Sequence, residues 1–233
     1  LDLIDLNTLP DNEARFPAFI DDLCDKLELD FASYAAMSPL SGDVRFYANY
    51  PDAWVTHYTN NEFHLVDPAI HMSSKSVAPV DWSRFQRNKD FNRVFGDGHD
   101  FGIPDVGLSV PIRGPYGEFG LLSVSKDCKD DAWAKLKRSI IGDLQVAAVH
   151  MHDNVMKSGM LPNYLANPSL STREKEILQW VAAGKSQQDI GDILSISHRT
   201  VEVHLRSGRE KLNALTTAQA VGRSISLGLI YPA

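Results

Sequence analysis

Apolar positions along the chain change their spacing from segment to segment, and the spacing predicts the elements. Between Asp131 and Met156, the residues Trp133, Leu136, Ile140, Leu144, Ala147, Met151 and Val155 recur at steps of three and four, one face of a long helix. Over Asn12–Glu28 the same spacing turns Phe16, Phe19, Ile20, Leu23 and Leu27 inward on another helix. Phe31–Met37 and Val44–Asn49 read as strands around a turn at Ser41-Gly42-Asp43. Val106–Ile112 and Phe119–Ser125 read as a second pair around Arg113–Glu118. Pro51–Asn60, with Pro51 in its first turn, and Lys89–Phe95 read as short helices. Helices before, between and after two hairpins predict an antiparallel sheet covered on both faces, an α/β/α sandwich.

The last third is different. Ser171 stands three residues before Glu174, the spacing of a capping box. Ile177, Leu178 and Val181 follow as an apolar face, and Ala183-Gly184 ends the helix. Ser186–Leu194 forms a second helix with Ile190, Ile193 and Leu194 inward, and Ser195-Ile196-Ser197 a tight turn. His198–Leu212 forms a third, with Val201, Leu205 and Leu212 inward, and Thr217–Leu229 a fourth. Two short helices, a tight turn and a polar-faced helix make a helix-turn-helix pattern. Gly159, Pro162 and Pro168 break the stretch between the two regions. The expected architecture is therefore α+β: a sandwich domain over 1–158, a linker over 159–168 and an all-α four-helix domain over 169–233.

The net charge of −7 in 233 residues looks wrong for a nucleic-acid binder, but it is unevenly spread. Residues 165–233 carry 8 Lys/Arg and 6 Asp/Glu, a balance of +2, whereas residues 1–164 carry 15 and 24, a balance of −9. The asymmetry points to two modules with different partners. No apolar run approaches the roughly 18–20 residues of a membrane span. Leu1–Asp5 lacks the basic and apolar regions of a signal peptide. Cys24 and Cys128 lie far apart without CxxC spacing, which argues against a disulfide framework or a cysteine zinc site. The expected location is the cytoplasm.

Leu170-Ser-Thr-Arg-Glu174, Leu178, Gly184-Lys-Ser, Ile190, Leu194, Ile196-Ser197, Thr200-Val201, His204 and Lys211-Leu212 together resemble the LuxR-type helix-turn-helix. The resemblance covers nearly all of residues 168–233 and implies four helices, the third in the DNA major groove. His198, Arg199, Glu202, Val203 and Arg206 project from that helix away from its apolar face. Arg206 suits bidentate contact with guanine and Glu202 can accept from cytosine N4. Lys185, Ser186 and Thr200 stand near helix starts, where phosphate is held. On spacing alone the same polar face also reads as a solvated surface. A dimer would read half-sites about 34 Å apart. The chain departs from the family at Gly208, where a bulkier apolar residue is usual, which predicts a less rigid third helix. Glu202 is also unusual there, and needs a base or a partner such as Arg199 or Arg206.

For the first domain, a phosphoacceptor receiver is excluded, because Asp21-Asp22 lies within a helix and the strands come as hairpins. Tyr50, Trp54, Tyr58, Asp67-Pro68, Asp81-Trp82 and Gly107, in this order and spacing, are similar to the autoinducer-binding domain of quorum-sensing LuxR receptors. That likeness covers about residues 10–158 and implies an N-acyl homoserine lactone as ligand. It places the Trp54 indole N–H on the lactone carbonyl. Asp67 would accept from the amide N–H, and the Tyr50 hydroxyl would meet the amide carbonyl. Ser123 falls near the acyl carbonyl or a 3-position substituent, and Trp82 and Tyr58 pack on the ring and chain. Ala35, Met37, Tyr47, Phe63, Val66, Ile70, Phe101 and Leu108 are candidates for the tail. Core packing accounts for the aromatics equally well, and a helix cap opening Pro68 accounts for Asp67.

Enzymatic motifs are not found: there is no GxSxG, HExxH, P-loop or dinucleotide glycine pattern. His150 and His152 lie two apart and do not share a helix face; His57, His64 and His71 straddle a helix and a loop. The reading is a ligand-responsive transcriptional regulator acting as a homodimer on a palindromic site, without cofactor, metal or membrane. The alternatives are the same regulator with a different small molecule, and a lactone-acting enzyme.

Overall fold

Residue alternation along five strands divides the first unit into two cores. The protein is described from a computed structural model, which covers residues 14–37, 44–114, 117–158 and 169–231. The turn at 41–43 and the linker at 159–168 lie outside the described residues. Strands β1 (Phe31–Met37), β2 (Val44–Ala48), β3 (Val80–Asp81), β4 (Gly107–Arg113) and β5 (Phe119–Ser125) form one antiparallel sheet, in the order β2-β1-β5-β4-β3.

On one face, Ala32, Tyr34, Ala36, Leu108, Val110, Leu122 and Val124 bury against two helices. Of these, α1 (Arg15–Leu27) packs on β1 and β2, while α6 (Asp130–Lys157) packs on β4 and β5. The expected stripe of α6 is buried from Trp133 to Val155, with Leu136 half-buried. His152 is buried between helix and sheet, its Nδ1 2.7 Å from the Tyr34 hydroxyl. Gly120 makes room for it, since a Cβ there would lie 2.4 Å from the same nitrogen. Burial holds the His152 pKa below its usual value. His150, by contrast, is exposed. Among the described residues no group of three His, Cys, Asp or Glu is placed to hold a metal. None of the described helices is long and apolar enough to cross a membrane.

The opposite face carries the alternate residues: Ser33 and Ala35 on β1, Ser109 on β4, Ser123 on β5. Over it lie α2 (Asp52–Asn60), α3 (Pro68–Ser73), α4 (Lys89–Phe91), α5 (Asp97–Asp100) and 3-10 turns at Phe63–Leu65 and Trp82–Arg84. Their core is aromatic: Trp54, Phe63, Trp82, Phe85, Phe91 and Phe95. The sheet is thus covered on both faces, as expected. The helix expected over Lys89–Phe95 differs. It is α4, followed by a π turn at Asn92–Gly96 and then α5. Gly96 and Gly98 weaken a regular helix there, and Gly98 lets Trp54 approach within 3.7 Å of where a Cβ would stand. Pro51 sits just outside α2 with extended backbone, one residue earlier than expected. Tyr47 and Leu108, candidates for the ligand tail, belong to the other core on the α1/α6 side of the sheet.

The second unit is α7 (Thr172–Ala182), α8 (Gln187–Leu194), α9 (His198–Lys211) and α10 (Thr217–Ser226) around Ile177, Leu178, Ile190, Val201, Leu205 and Ala220. Ser171 and Glu174 form the expected capping box, and Ser186 with Asp189 forms another on α8. Gly191 lets the turn close on α8, because a Cβ would come within 2.8 Å of the Ile196 carbonyl oxygen. Ile193 is exposed, contrary to expectation. Three residues beyond Ile190, it is rotated about 60° off the buried face, and α8 packs chiefly on α7 and α9.

Candidate ligand site and DNA-reading face

Trp54 and Tyr58 stand one turn apart on α2, so both point at the aromatic core, in edge-on contact at 5.7 Å. Phe63 and Phe101 close on Trp54 at 6.1 and 5.5 Å. Among the described residues, nothing accepts a hydrogen bond from the Trp54 indole N–H.

Asp67 has two roles at once. One carboxylate oxygen caps α3 through the Ala69 N–H at 2.7 Å, and the other accepts from the Tyr58 hydroxyl at 2.7 Å. Pro68 at the first helical position fixes the entry to α3. Burial pushes the Asp67 pKa above the usual carboxylate range, against the pull of Tyr58 and Ala69. Burial, then the carboxylate, push the Tyr58 hydroxyl far up, so it remains a donor. A carboxylate offers about four acceptor positions, so Asp67 keeps capacity for one further N–H.

Tyr50 packs on Phe31 at 5.6 Å, and its hydroxyl meets Ser33. Burial pushes that hydroxyl up to about 12. Trp82 packs closely against β4, where Gly107 admits it; a Cβ there would be 2.4 Å from the indole ring. Its N–H donates to Ser109 Oγ at 2.9 Å, and Ser109 Oγ lies 2.8 Å from Ser123 Oγ. The structure thus gathers Tyr50, Trp54, Tyr58, Asp67, Trp82 and Ser123 on one face of the sheet. Sequence reasoning missed Ser33 and Ser109. Their signal was the strand register, which aligns Ser33, Ser123 and Ser109 in one row. A separate surface cleft of about 420 Å³ opens beside α3, lined by Val66, Pro68, Met72, Arg84 and others, and none of these six residues lines it.

On α9, His198, Arg199, Val203 and Arg206 are exposed, Val203 by 61%. Thr200 and Glu202 are half-buried. Glu202 does not pair with Arg199 or Arg206. One of its oxygens accepts from Arg209 at 3.1 Å and the other from Gln187 at 2.6 Å, bridging α8 and α9. Arg206 instead pairs with Glu210 at 3.1 Å. Lys185 is exposed at the start of α8, and the Ser186 hydroxyl is engaged in its capping box. Thr200 Oγ1 lies 2.8 Å from Ser197 Oγ, the N-cap of α9. Glu174, buried, accepts from Lys211 at 2.8 Å, from Ser207 at 2.7 Å and from the Ser171 N–H, tying α7 to α9. Despite its burial, these donors hold its pKa down to about 2. Gly208 is buried on α9; a Cβ there would sit 3.5 Å from Leu178.

A buried aromatic site with a partly used carboxylate, followed by a helix-turn-helix, defines a ligand-responsive DNA-binding regulator. Known proteins agree. An autoinducer binding domain profile matches residues 12–155, and that of the bacterial regulatory proteins of the luxR family matches residues 168–223. The transcriptional activator protein RaiR of Rhizobium etli is 32% identical over 73% of this chain and 71% of its own length. LuxR of Aliivibrio fischeri is 31% identical over 83% and 78%. A putative HTH-type transcriptional regulator, y4qH of Sinorhizobium fredii, is 32% identical over 85% of this chain, which spans only 61% of its length. Among solved structures, SdiA in complex with octanoyl-rac-glycerol superposes with a TM-score of 0.67 at 26% identity, covering 96% of this chain and 91% of that one. The chain belongs to the LuxR family of transcriptional regulators, with an autoinducer-binding domain and a luxR-type helix-turn-helix. This membership sets aside the lactone-acting enzyme.

Proposed function

We propose that the chain is a cytoplasmic quorum-sensing receptor for an N-acyl homoserine lactone, with its ligand domain at 1–158, a linker at 159–168 and its DNA-binding domain at 169–233. Tyr50, Trp54, Tyr58, Asp67, Trp82 and Ser123 form the ligand site. The Trp54 N–H serves the lactone carbonyl, Asp67 the amide N–H and Tyr50 the amide carbonyl. Tyr58 acts by holding Asp67. As a homodimer the protein reads a palindromic site with His198, Arg199, Val203 and Arg206 at the bases. Lys185, Ser186 and Thr200 lie at the phosphates, with Glu202 ordering Arg209 and Gln187. Asp67 carries the reading: a buried, pKa-raised carboxylate with acceptor capacity left over needs a donor, and an amide N–H supplies one.

A melting scan of the full chain against a panel of lactones tests this. Ligand that binds only the folded form raises stability by RT ln(1 + [L]/Kd). A rise with lactones that is lost in Asp67→Ala is expected, and no rise at saturating lactone refutes the reading. The octanoylglycerol bound to SdiA favours a second reading, an acyl lipid whose glycerol hydroxyls take the place of the amide. A shift with octanoylglycerol and none with lactones would decide for it.

A further inference from the structure

The two tryptophans of the ligand domain are held differently. Trp82 is aimed by its own hydrogen bond, its N–H taken by Ser109 at 2.9 Å. The Trp54 N–H has no acceptor among the described residues, so the direction of that indole comes from the groups packed around it. One of these is His57, three residues further along α2 and on the same side of the helix. Its imidazole stacks on the indole, with ring centroids 6.0 Å apart and planes 26° apart. It also lies 5.0 Å from the Phe101 ring and meets the Phe63 ring edge-on at 5.5 Å. The imidazole is in turn fixed from outside, because its Nε2 lies 2.8 Å from Asp97 Oδ2. A carboxylate accepts, so His57 Nε2 carries the proton and donates it.

Asp97 opens α5, and the next residue, Gly98, bounds the indole itself. A Cβ on Gly98 would stand 3.7 Å from Trp54 Cη2 and 3.8 Å from Cζ2. Cζ2 is bonded to the ring carbon that carries Nε1, so this contact limits the N–H end of the ring. Two consecutive residues thus hold the histidine and bound the tryptophan it stacks on. We infer that His57 and Asp97 are positioning residues, a clasp between α2 and α5 that sets the direction in which Trp54 presents its N–H to the ligand head. The inference rests on the lactone reading above. Hydrogen bonds weaken steeply with angle, so a tilted indole loses the lactone carbonyl while its apolar contacts persist.

The test uses the full-length chain and matched pairs of N-acyl homoserine lactones and N-acyl cyclopentylamides of 6, 8, 10 and 12 carbons, with Kd measured by calorimetry. A cyclopentylamide keeps the acyl chain, the amide and a five-membered ring but lacks the lactone carbonyl. The wild type prefers the lactone of the tightest pair by about fivefold or more, since the other member leaves the Trp54 N–H unpaired. His57→Ala and Asp97→Ala each cut that preference by about threefold or more, and Asp97→Asn, which keeps an acceptor oxygen, retains it. Trp54→Phe abolishes the preference, and adding His57→Ala to it changes the ratio no further. The Asp97 side chain is 45% exposed, so Asp97→Ala stands in if His57→Ala fails to fold. Equal weakening of both members of a pair, with the ratio intact, would show packing alone and overturn the clasp. So would a change of ratio on the Trp54→Phe background. Tight binding by the wild type without a lactone preference also overturns it and leaves the lactone as ligand. Failure of the wild type to bind any pair overturns both.

Discussion

Replacing Tyr58 by Phe removes one oxygen and leaves the ring against Trp54 and Phe63, both at 5.7 Å. The lost bond, 2.7 Å to a buried carboxylate, is charge-assisted and contributes roughly 1.5–3 kcal/mol. Because Tyr58 holds Asp67 with or without ligand, this energy does not pass directly into Kd. It passes into the Asp67 pKa, which burial already raises and which Tyr58 pulls down. At about 1.36 kcal/mol per pH unit, the loss raises that pKa further by about 1–2 units. A ligand amide needs the ionised carboxylate, so affinity is full above the Asp67 pKa and falls as pH drops through it. In the free protein the sign is opposite: an acid with a raised pKa binds its proton more tightly when folded, so its ionisation lowers stability as pH rises. Lactone Kd measured calorimetrically between pH 5 and 9 should show the acid limb of Tyr58→Phe moved up by about 1–2 units, with near-wild-type affinity at the alkaline end. Equal weakening at every pH would mean that Tyr58 touches the ligand itself, and an unmoved limb would mean that Asp67 is not the group that titrates.

Other perturbations address the second unit. Gly208→Ala adds a methyl at ordinary contact distance from Leu178 inside a helix, and should stabilise by about 1 kcal/mol. Slower hydrogen exchange in α7 and α9, by about fivefold, would report it, and faster exchange would contradict it. Glu174→Gln leaves Lys211 without a counter-charge and should cost about 2–3 kcal/mol, seen as faster exchange in the same helices. Since the Glu174 pKa is depressed to about 2, its contribution is present above the ordinary value of 4.5 and is lost as pH falls toward 2; Glu174→Gln should flatten that dependence. Arg206→Ala should remove preference for the specific site more than it weakens binding to mixed-sequence DNA, tested by mobility shift; equal loss on both would reduce Arg206 to a phosphate contact.

Long periodic segments were legible in the sequence because burial follows spacing. The stripe of α6 and the four helices of the second unit appear as expected, and the Ser171–Glu174 capping box is formed. Short elements were not. The six residues of α3, the two of β3 and the 3-10 turns have too few positions to show a period, although they carry Asp67 and Trp82. The motif residues could be named one by one, but their partners could not. That Tyr58 serves Asp67 depends on nine residues of chain folding back, and that Trp82 serves Ser109 depends on strand register. Tyr47 and Leu108, named only as candidates for the tail, turn out to face α1 and α6 for the same reason: a strand's two faces differ by one residue, and composition alone does not say which is which.

That alternation also separates the two demands on the sheet. Tyr34, Leu122 and Val124 face α1 and α6, where truncating a fully buried side chain costs about 2–5 kcal/mol. Ser33, Ser109 and Ser123 face the other way, where the groups are small and matched by hydrogen bonds to Tyr50, Trp82 and each other. Removing one of these hydroxyls deletes no apolar volume from the larger core, and its cost is confined to the partner left unpaired, about 1–3 kcal/mol. On the proposed ligand site, ligand preference is expected to change along the serine row without dismantling the packing that holds the sheet, whereas a change one residue along the same strand strikes the fold itself.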